Sequence, residues 1–386
     1  MTQGEGDLPL AGVTVVDFSQ FLSGPSAALR LADLGARVIK VERPGTGDIC
    51  RSLYTSNLRW DGDSTLFHAI NRNKEGYAVD LRADGGLQRA LRLVARADVL
   101  IENFRPGVMA RLGLGAERLR ALQPGLIYAS ITGYGGTGPW RDDPGQDLLV
   151  QSLSGLAWLN GDAGQPPTPL GLSVVDMMAG AQLVQGILGA LVRRGVSGVG
   201  ARVEVSLLEA VLDMQFELFT THLNDGGALP VRSRVRGANA YLGAPYGIYE
   251  TADGYLALAM GSVADLARLL ACPALQAYPE PFQWSEQRDE IKEILVRHLR
   301  TCPTARWLEA LEPAGYWCAE VLTWTELLRH EGFQALRMLQ EVERQGGRRF
   351  WTTRCPIRID GRRLTSERGS PRVGQDTEAI DWEWGT

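Results

Sequence analysis

Lysine is almost missing from this chain. Only Lys40, Lys74 and Lys292 occur, so 37 of the 40 basic side chains are arginine. The skew reads as coding bias rather than as mechanism. Histidine is also scarce. His68, His222, His298 and His330 lie far apart and form no HxH or HxxxH pair, so no metal site is expected. The five cysteines (Cys50, Cys272, Cys302, Cys318, Cys355) are scattered and lack CxxC spacing. An odd, dispersed set fits a reducing compartment better than a disulfide framework. Positive charge is not in excess: the formal net charge is −5. Nothing is available to neutralise phosphates in bulk, so neither nucleic acid nor a membrane surface is an expected partner. No apolar run reaches the length of a membrane span. The nearest, 177–192, carries several Gly with Gln182 and Gln185 and reads as a buried helix. Residues 1–9 are acidic and Gly-rich with no signal-peptide core, so the expected location is the cytoplasm. No GxGxxG follows the first strand pattern, and no Walker loop or GxSxG elbow occurs. A nucleotide-dependent dehydrogenase, a P-loop enzyme and a serine hydrolase are therefore not expected.

At 386 residues the chain exceeds one compact core and suits two domains. Its first 135 residues alternate strand and helix patterns. Strands are expected at 13–18, 37–42, 78–81, 98–102 and 126–131, and helices at 26–34 and 85–96. Such alternation means βαβ units, hence an α/β fold with a doubly wound, mostly parallel sheet. Residues 1–195 are read as the large domain, completed by 350–386. Residues 196–245 read as a linker holding a strand at 201–205 and a helix at 207–223. A smaller α/β domain spans 246–329, opening with a hairpin around the turn at 252–254. Further helices are expected at 263–270, 285–300, 304–312 and 324–340, with 330–349 as a return linker. Ligands of doubly wound sheets bind outside the carboxyl ends of the strands. Those loops are 19–24, 43–47, 103–107 and 132–139.

Asp176 follows a Pro-rich turn (Pro166, Pro167, Pro169) and opens a run, 176–192, free of proline and further charge. An Asp in that place marks a helix start. Facing unpaired N–H groups and the positive end of the helix dipole, it should stay ionised. An ionised, partly desolvated carboxylate is a usable nucleophile. Local sequence alone leaves both readings open, an ordinary N-cap and a catalytic group. The first-half loops also offer Arg43, Arg82 and Arg111 beside Asn103 and Phe104. Arginines suit phosphates, although each alone reads equally well as a solvated surface residue.

A longer pattern joins these residues. It comprises the run 10–18 with Gly24-Pro25, the run 34–42 with Gly45 and Gly47-Asp48, and Asn71-Arg72-Asn73-Lys74. It continues through 97–107, Gly133-Tyr134-Gly135, Gly138-Pro139, Pro144-Gly145-Gln146-Asp147, Gln151 and Ser154-Gly155. Asp176 with its helix, Tyr246-Gly247-Ile248-Tyr249 and Ala252-Asp253-Gly254 complete it. In this order the segments resemble the class III CoA-transferases, the group of formyl-CoA transferase and carnitine CoA-transferase that also holds the α-methylacyl-CoA racemases. The resemblance implies that Asp176 is a nucleophile passing CoA from an acyl-CoA to a free carboxylic acid, through a mixed anhydride and an aspartyl-CoA thioester. It implies coenzyme A as co-substrate, with no metal and no redox cofactor. CoA contacts would fall on Leu22, Ser23, Arg43, Val79, Arg82, Asn103, Phe104, Arg111 and Leu207. The implied assembly is a homodimer of two chains threaded as interlocked rings.

Three positions depart from the branches of that group. The racemases carry a His before the Asp of the Gly-x-Asp motif, and Gln146 stands there. Gln exchanges no proton, so transfer is expected over racemisation. Asp147 beside it supports Asp176 or the acceptor, or stabilises its own loop. Leu22 and Tyr241-Leu242-Gly243-Ala244 replace the Gln and the glycine run of formyl-CoA transferase, so oxalate–formate exchange is not expected. By position, Trp158, Leu159, Tyr241 and Leu242 are assigned to an acyl site for an apolar or bulky acid. The rivals are a racemase and a CoA-binding homologue without turnover.

Overall fold

The computed structural model of the chain describes residues 8–385. The expectation drawn from the first residues lies, for 1–7, outside the described residues. Two compact units divide the chain: 1–150 with 173–214 and 335–386, and 151–172 with 215–334. The first unit therefore runs on to Met214, and the return segment joins it from Ala335.

The first unit is built on six parallel strands: β1 (Thr14–Asp17), β2 (Arg37–Glu42), β3 (Glu75–Ala78), β4 (Val99–Glu102), β5 (Ile127–Thr132) and β6 (Arg202–Ser206). Their order is β3-β2-β1-β4-β5-β6. The apolar runs of β1, β2, β4 and β5 are buried on both faces, as a covered parallel sheet requires. β6 is the edge strand, and its alternating Arg202-Val203-Glu204-Val205 leaves one side open. Residues 196–245, read as a linker, thus contribute a strand to the main sheet. The third strand lies at Glu75–Ala78, earlier than the expected 78–81. Asp80 ends it by accepting the Arg82 N–H at 3.0 Å, an Asx turn that outweighs the apolar neighbours.

Helices α1 (Ser23–Asp33) and α2 (Gly86–Val94) follow β1 and β3. α3 (Asp147–Leu153) and α4 (Val174–Ser197) precede β6, α5 (Leu207–Met214) follows it, and α6 (Thr377–Trp384) ends the chain. α2 and α6 cover the sheet face that carries Val16, Ile39, Leu100 and Tyr128, with Leu93, Ile380 and Trp384 packed among them. α1 and α4 pack on each other and on the sheet from the other side. By length and composition α4 is apolar enough to cross a membrane, more so than the run 177–192 suggested. Its Val175, Ala179, Leu183 and Ile187 are buried toward α1 and the strands, the packing of a core helix.

Gly180 sets how closely α4 approaches α1. A β-carbon there would stand 2.5 Å from Ser26 Oγ and 2.7 Å from the Ser23 carbonyl oxygen. Gly180→Ala is expected to push α4 outward and destabilise by about 1–3 kcal/mol. It should also lower kcat, because Asp176 lies one turn away on the same helix. Unchanged kcat with normal melting would show that the spacing is not needed.

The second unit has its own antiparallel sheet, β9 (Cys318–Glu320), β8 (Tyr255–Leu258) and β7 (Gly247–Glu250) in that order. The hairpin register pairs Tyr255 with Glu250 and Leu258 with Gly247. Helices Val263–Leu269, Arg288–Leu299 and Thr304–Leu311 close a core of Tyr249, Leu256, Leu266, Ile291, Leu295 and Trp307. The helix expected over 324–340 is interrupted. Trp324–Arg329 and Glu331–Leu336 are separate, and Arg337 takes a left-handed φ of 47° that no helix continues through. Leu339–Glu343 is instead a strand, β10, paired with β11 (Arg349–Thr353) in the first unit. The helix expected over 207–223 likewise breaks, at Gln215.

Candidate active site

In the order β3-β2-β1-β4-β5-β6 the chain reverses direction across the sheet between β1 and β4. The loops leaving those two strands diverge and open a crevice, the usual ligand position of such a sheet. A cleft of about 550 Å³ lies there. Leu22, Ser23, Asn103, Phe104, Gln146, Asp147, Asp176 and Leu207 line it, with Gln20, Phe21, Arg105, Arg141 and Asp143.

Buried charge fixes the loop after β1. Asp17 is wholly buried, and Lys74 Nζ donates to its Oδ2 at 3.0 Å, to Asn71 Oδ1 at 2.9 Å and to the Pro25 carbonyl at 2.9 Å. Burial pulls the Lys74 ammonium down to about 8. Lys40 reaches the Ser19 carbonyl and pairs with Asp48 at 2.9 Å. Phe21, in a left-handed conformation with φ 62°, donates its N–H to Asp48 Oδ1 at 3.2 Å. Asn103 ties this loop to the one after β4. Its Oδ1 accepts the Gln20 N–H at 2.8 Å, and its Nδ2 donates to the Gln20 carbonyl at 2.7 Å. Glu102 accepts the Phe104 N–H at 2.8 Å, and burial pushes its carboxyl up to about 7.

Asp176 is not the helix cap the sequence suggested. α4 begins at Val174, which makes Asp176 its third residue. The first N–H groups are taken by Asp147, whose Oδ2 accepts from Val175 N at 2.9 Å and Asp176 N at 3.0 Å. The anion at the positive end of the helix is therefore Asp147. Asp176, enclosed and facing that like charge, has its carboxyl pushed up to about 7, by burial first and by Asp147 second. The Ser23 hydroxyl acts in the opposite direction. The expectation that Asp176 stays fully ionised is thus corrected: near neutral pH it stands between its two forms. Raised basicity in a cleft is what a carboxylate nucleophile or base needs.

Four of the residues expected to touch CoA lie outside this lining. Val79 is 4% exposed, its side chain packed in the core with Val41 and Tyr77, so only its backbone could meet a ligand. Arg43 and Arg82 are exposed on the loops after β2 and β3. Arg111 is closer: a β-carbon on Gly107 would lie 3.3 Å from Arg111 Nη1 and 3.9 Å from Arg141 Nη2. Arg141 itself lines the cleft, and so does Arg105. The Arg105 and Arg111 side chains make no hydrogen bond or ion pair among the described residues, and Arg141 has only a loose 3.7 Å pairing with Asp142. Sequence reasoning missed Arg105 and Arg141 as lining groups. Arg105 stood two places beyond Asn103 in a recognised motif, whereas Arg141 sits in a Gly/Pro-rich loop with no periodicity to aim it. Trp158, Leu159, Tyr241 and Leu242 belong to the second unit and do not line this cleft. No group of three metal-ligating side chains occurs among the described residues.

A parallel α/β sheet with a carboxylate of raised basicity and arginines at its switch point has the chemistry to receive an anionic ligand. The chain belongs to CoA-transferase family III, whose family model matches residues 10–377. It is 32% identical to the succinate–glutarate CoA-transferase of Agrobacterium fabrum, over 95% of this chain and 93% of that one. It is 33% identical to the acetyl-CoA:oxalate CoA-transferase of Acetobacter aceti, over 97% and 96%. Among solved structures, an aspartate-to-alanine mutant of Rv3272 from Mycobacterium tuberculosis superposes with a TM-score of 0.84 at 32% identity, covering 96% of this chain and 98% of that one. A CAIB/BAIF family protein from Brucella suis gives 0.83 at 29% identity, over 98% and 99%. The protein is an enzyme of the class III CoA-transferase type, and CoA thioesters are substrates of that type.

Proposed function

We propose that the enzyme moves CoA from an acyl-CoA to a free carboxylic acid with Asp176 as nucleophile. The Asp176 carboxylate attacks the thioester carbonyl, the C–S bond breaks, and the thiolate leaves with the electron pair. A mixed anhydride remains. The thiolate then attacks the Asp176 acyl carbon, releasing the donor acid as its carboxylate and leaving an aspartyl-CoA thioester. The acceptor carboxylate attacks that carbonyl and expels the thiolate. The thiolate takes the acceptor acyl group from the new anhydride and restores Asp176. Each anhydride or thioester replaces another of similar reactivity, which is how covalent catalysis divides one hard exchange into easier steps.

The observation that carries this reading is Asp176, held in the switch-point cleft with its carboxyl pushed up to about 7. Gln146 lines the same cleft and exchanges no proton, which disfavours racemisation. Dicarboxylic acids such as succinate and glutarate are the substrates we favour. Relatives carry those names, and Arg105 and Arg141 supply cations for a carboxylate or phosphate. We read the assembly as an interlocked homodimer. Exposed apolar side chains on α4 (Val192, 74%; Val196, 90%) suit such association.

The test is peptide mass spectrometry after brief incubation with acyl-CoAs, succinyl-CoA and glutaryl-CoA included, and an acid quench. A CoA or acyl adduct on the peptide bearing Asp176 is expected. CoA bound without any adduct, while exchange proceeds, would overturn the covalent mechanism.

A further inference from the structure

One residue of the cleft holds a backbone conformation that its side chain disfavours. Phe21, on the loop after β1, has φ 62°, in the left-handed region where a bulky residue is strained. We propose that Phe21 is a specificity-determining residue, an apolar wall on which the chain of the transferred acid lies. The proposal rests on the transfer reading of this cleft and narrows the acid it takes. That acid is a straight dicarboxylic acid whose methylenes meet Phe21 while its far carboxylate meets an arginine.

The loop is fixed on both sides of this residue. Asp48 Oδ1 accepts the Phe21 N–H at 3.2 Å and the Cys50 N–H at 2.9 Å, and Lys40 pairs with the same carboxylate at 2.9 Å. Asn103 holds the Gln20 N–H and carbonyl. Such a loop imposes its φ on whatever residue stands at position 21. Glycine would adopt that φ freely, yet the chain has phenylalanine there. The ring is not absorbed into the core. It is 48% exposed and lines the cleft, whereas Leu22 beside it is 8% exposed and packs with Cys50, Phe67 and Ile70. A strained backbone that presents an aromatic ring to a cleft points to a task toward the ligand.

Leu53 and Leu66 line the same cleft, both from the connection between β2 and β3. With Phe21 they come from the β1–β2 side of the switch point. Arg105 and Arg141 follow β4 and β5, on its other side. The cleft therefore sets apolar side chains against two cations. A succinate- or glutarate-like acid matches both, with apolar methylenes between two charged ends. A fatty acid would leave the arginines without a partner, and oxalate has no methylene to place on Phe21.

The experiment compares the unmodified enzyme with Phe21→Gly, Phe21→Ala and Phe21→Leu. Affinity is measured for CoA and for S-carboxyalkyl-CoA thioethers of increasing chain length, which bind without turnover. In parallel, kcat/KM is measured for succinate, glutarate, adipate and pimelate as acceptors. Loss of the ring should lower kcat/KM for the preferred acid by about tenfold or more and move the preference toward longer acids. The Gly and Ala variants should do so equally, and Phe21→Leu should retain most of the original preference. Affinity for CoA without an acyl chain should not change. The Gly variant should melt above the Ala variant, the reverse of the usual order, because only glycine adopts φ 62° freely. An unchanged preference in both variants, or a change confined to Gly, overturns the proposal. So does a loss of CoA affinity in step with every acid, which would place Phe21 on the CoA moiety, or an Ala variant that melts above the Gly variant. If no acid accepts CoA while the thioethers still show a chain preference that depends on Phe21, the proposal stands and the transfer reading falls.

Discussion

Asp176→Asn is expected to reduce CoA exchange by at least ~10³-fold and, at the same time, to raise the melting temperature at mildly alkaline pH. Both effects come from one group. The amide offers no nucleophilic oxygen, so neither anhydride nor aspartyl thioester forms. Stability follows from linkage. In the folded enzyme the Asp176 carboxyl is pushed up to about 7 from an unfolded value of 3.8. Between those values the folded chain holds a proton that the unfolded chain has lost, so this group's contribution falls as pH rises and is at its lowest above the folded value. The variant lacks that penalty. Its advantage over the unmodified enzyme should grow from about pH 4 to about pH 7 and then level off, at up to a few kcal/mol. Melting curves across pH check it, and a variant that is equally stable at every pH would show that Asp176 does not titrate abnormally. In the unmodified enzyme, kcat/KM should fall about tenfold per pH unit below about 7, as the carboxylate protonates.

The second large effect is expected at Asp147, where two substitutions separate two roles. Asp147→Asn keeps an oxygen to accept the Val175 and Asp176 N–H groups, now 2.9 and 3.0 Å from Oδ2, but removes the charge. The Asp176 carboxyl should then move down from about 7, because the repulsive part of its shift is gone and burial remains. The acid limb of kcat/KM should move to lower pH with it. Asp147→Ala also removes the helix cap, which costs about 1–2 kcal/mol. It should loosen the first turn of α4 and lower kcat well below that of the Asn variant. If Asp147→Asn instead lowers activity equally at every pH, Asp147 acts on substrate and not through Asp176.

Much of the large unit was readable from periodicity. Strands buried on both faces give continuous apolar runs such as Val15-Val16 and Val99-Leu100-Ile101, and these mark β1 and β4 with little ambiguity. The switch-point loops, and with them Asn103 and Phe104, followed from where such strands end, whereas Asp176 was marked by the helix start after the Pro-rich turn and Ser23 by the family resemblance. Partnerships across the fold were not readable. A helix start looks the same whether its own Asp or a distant one satisfies the N–H groups, so Asp147 capping α4 from 29 residues away could not be inferred locally. Val79 shows the same limit: apolar and beside a loop in the chain, it turns into the core. The interrupted helix at 324–340 had helical spacing throughout, yet His330 turns extended after the first helix and the left-handed Arg337 ends the second.

The few lysines have a chemical consequence of their own. Lys40, Lys74 and Lys292 are each 0% exposed. Lys40 and Lys74 are locked to carboxylates, and Lys292 Nζ donates to the Arg236 carbonyl at 3.1 Å. Acyl thioesters are electrophiles that acylate free amines without any enzyme. Arginine, always protonated and delocalised, is not such an amine. A protein bathed in its own reactive substrate therefore presents no lysine side chain for that substrate to damage.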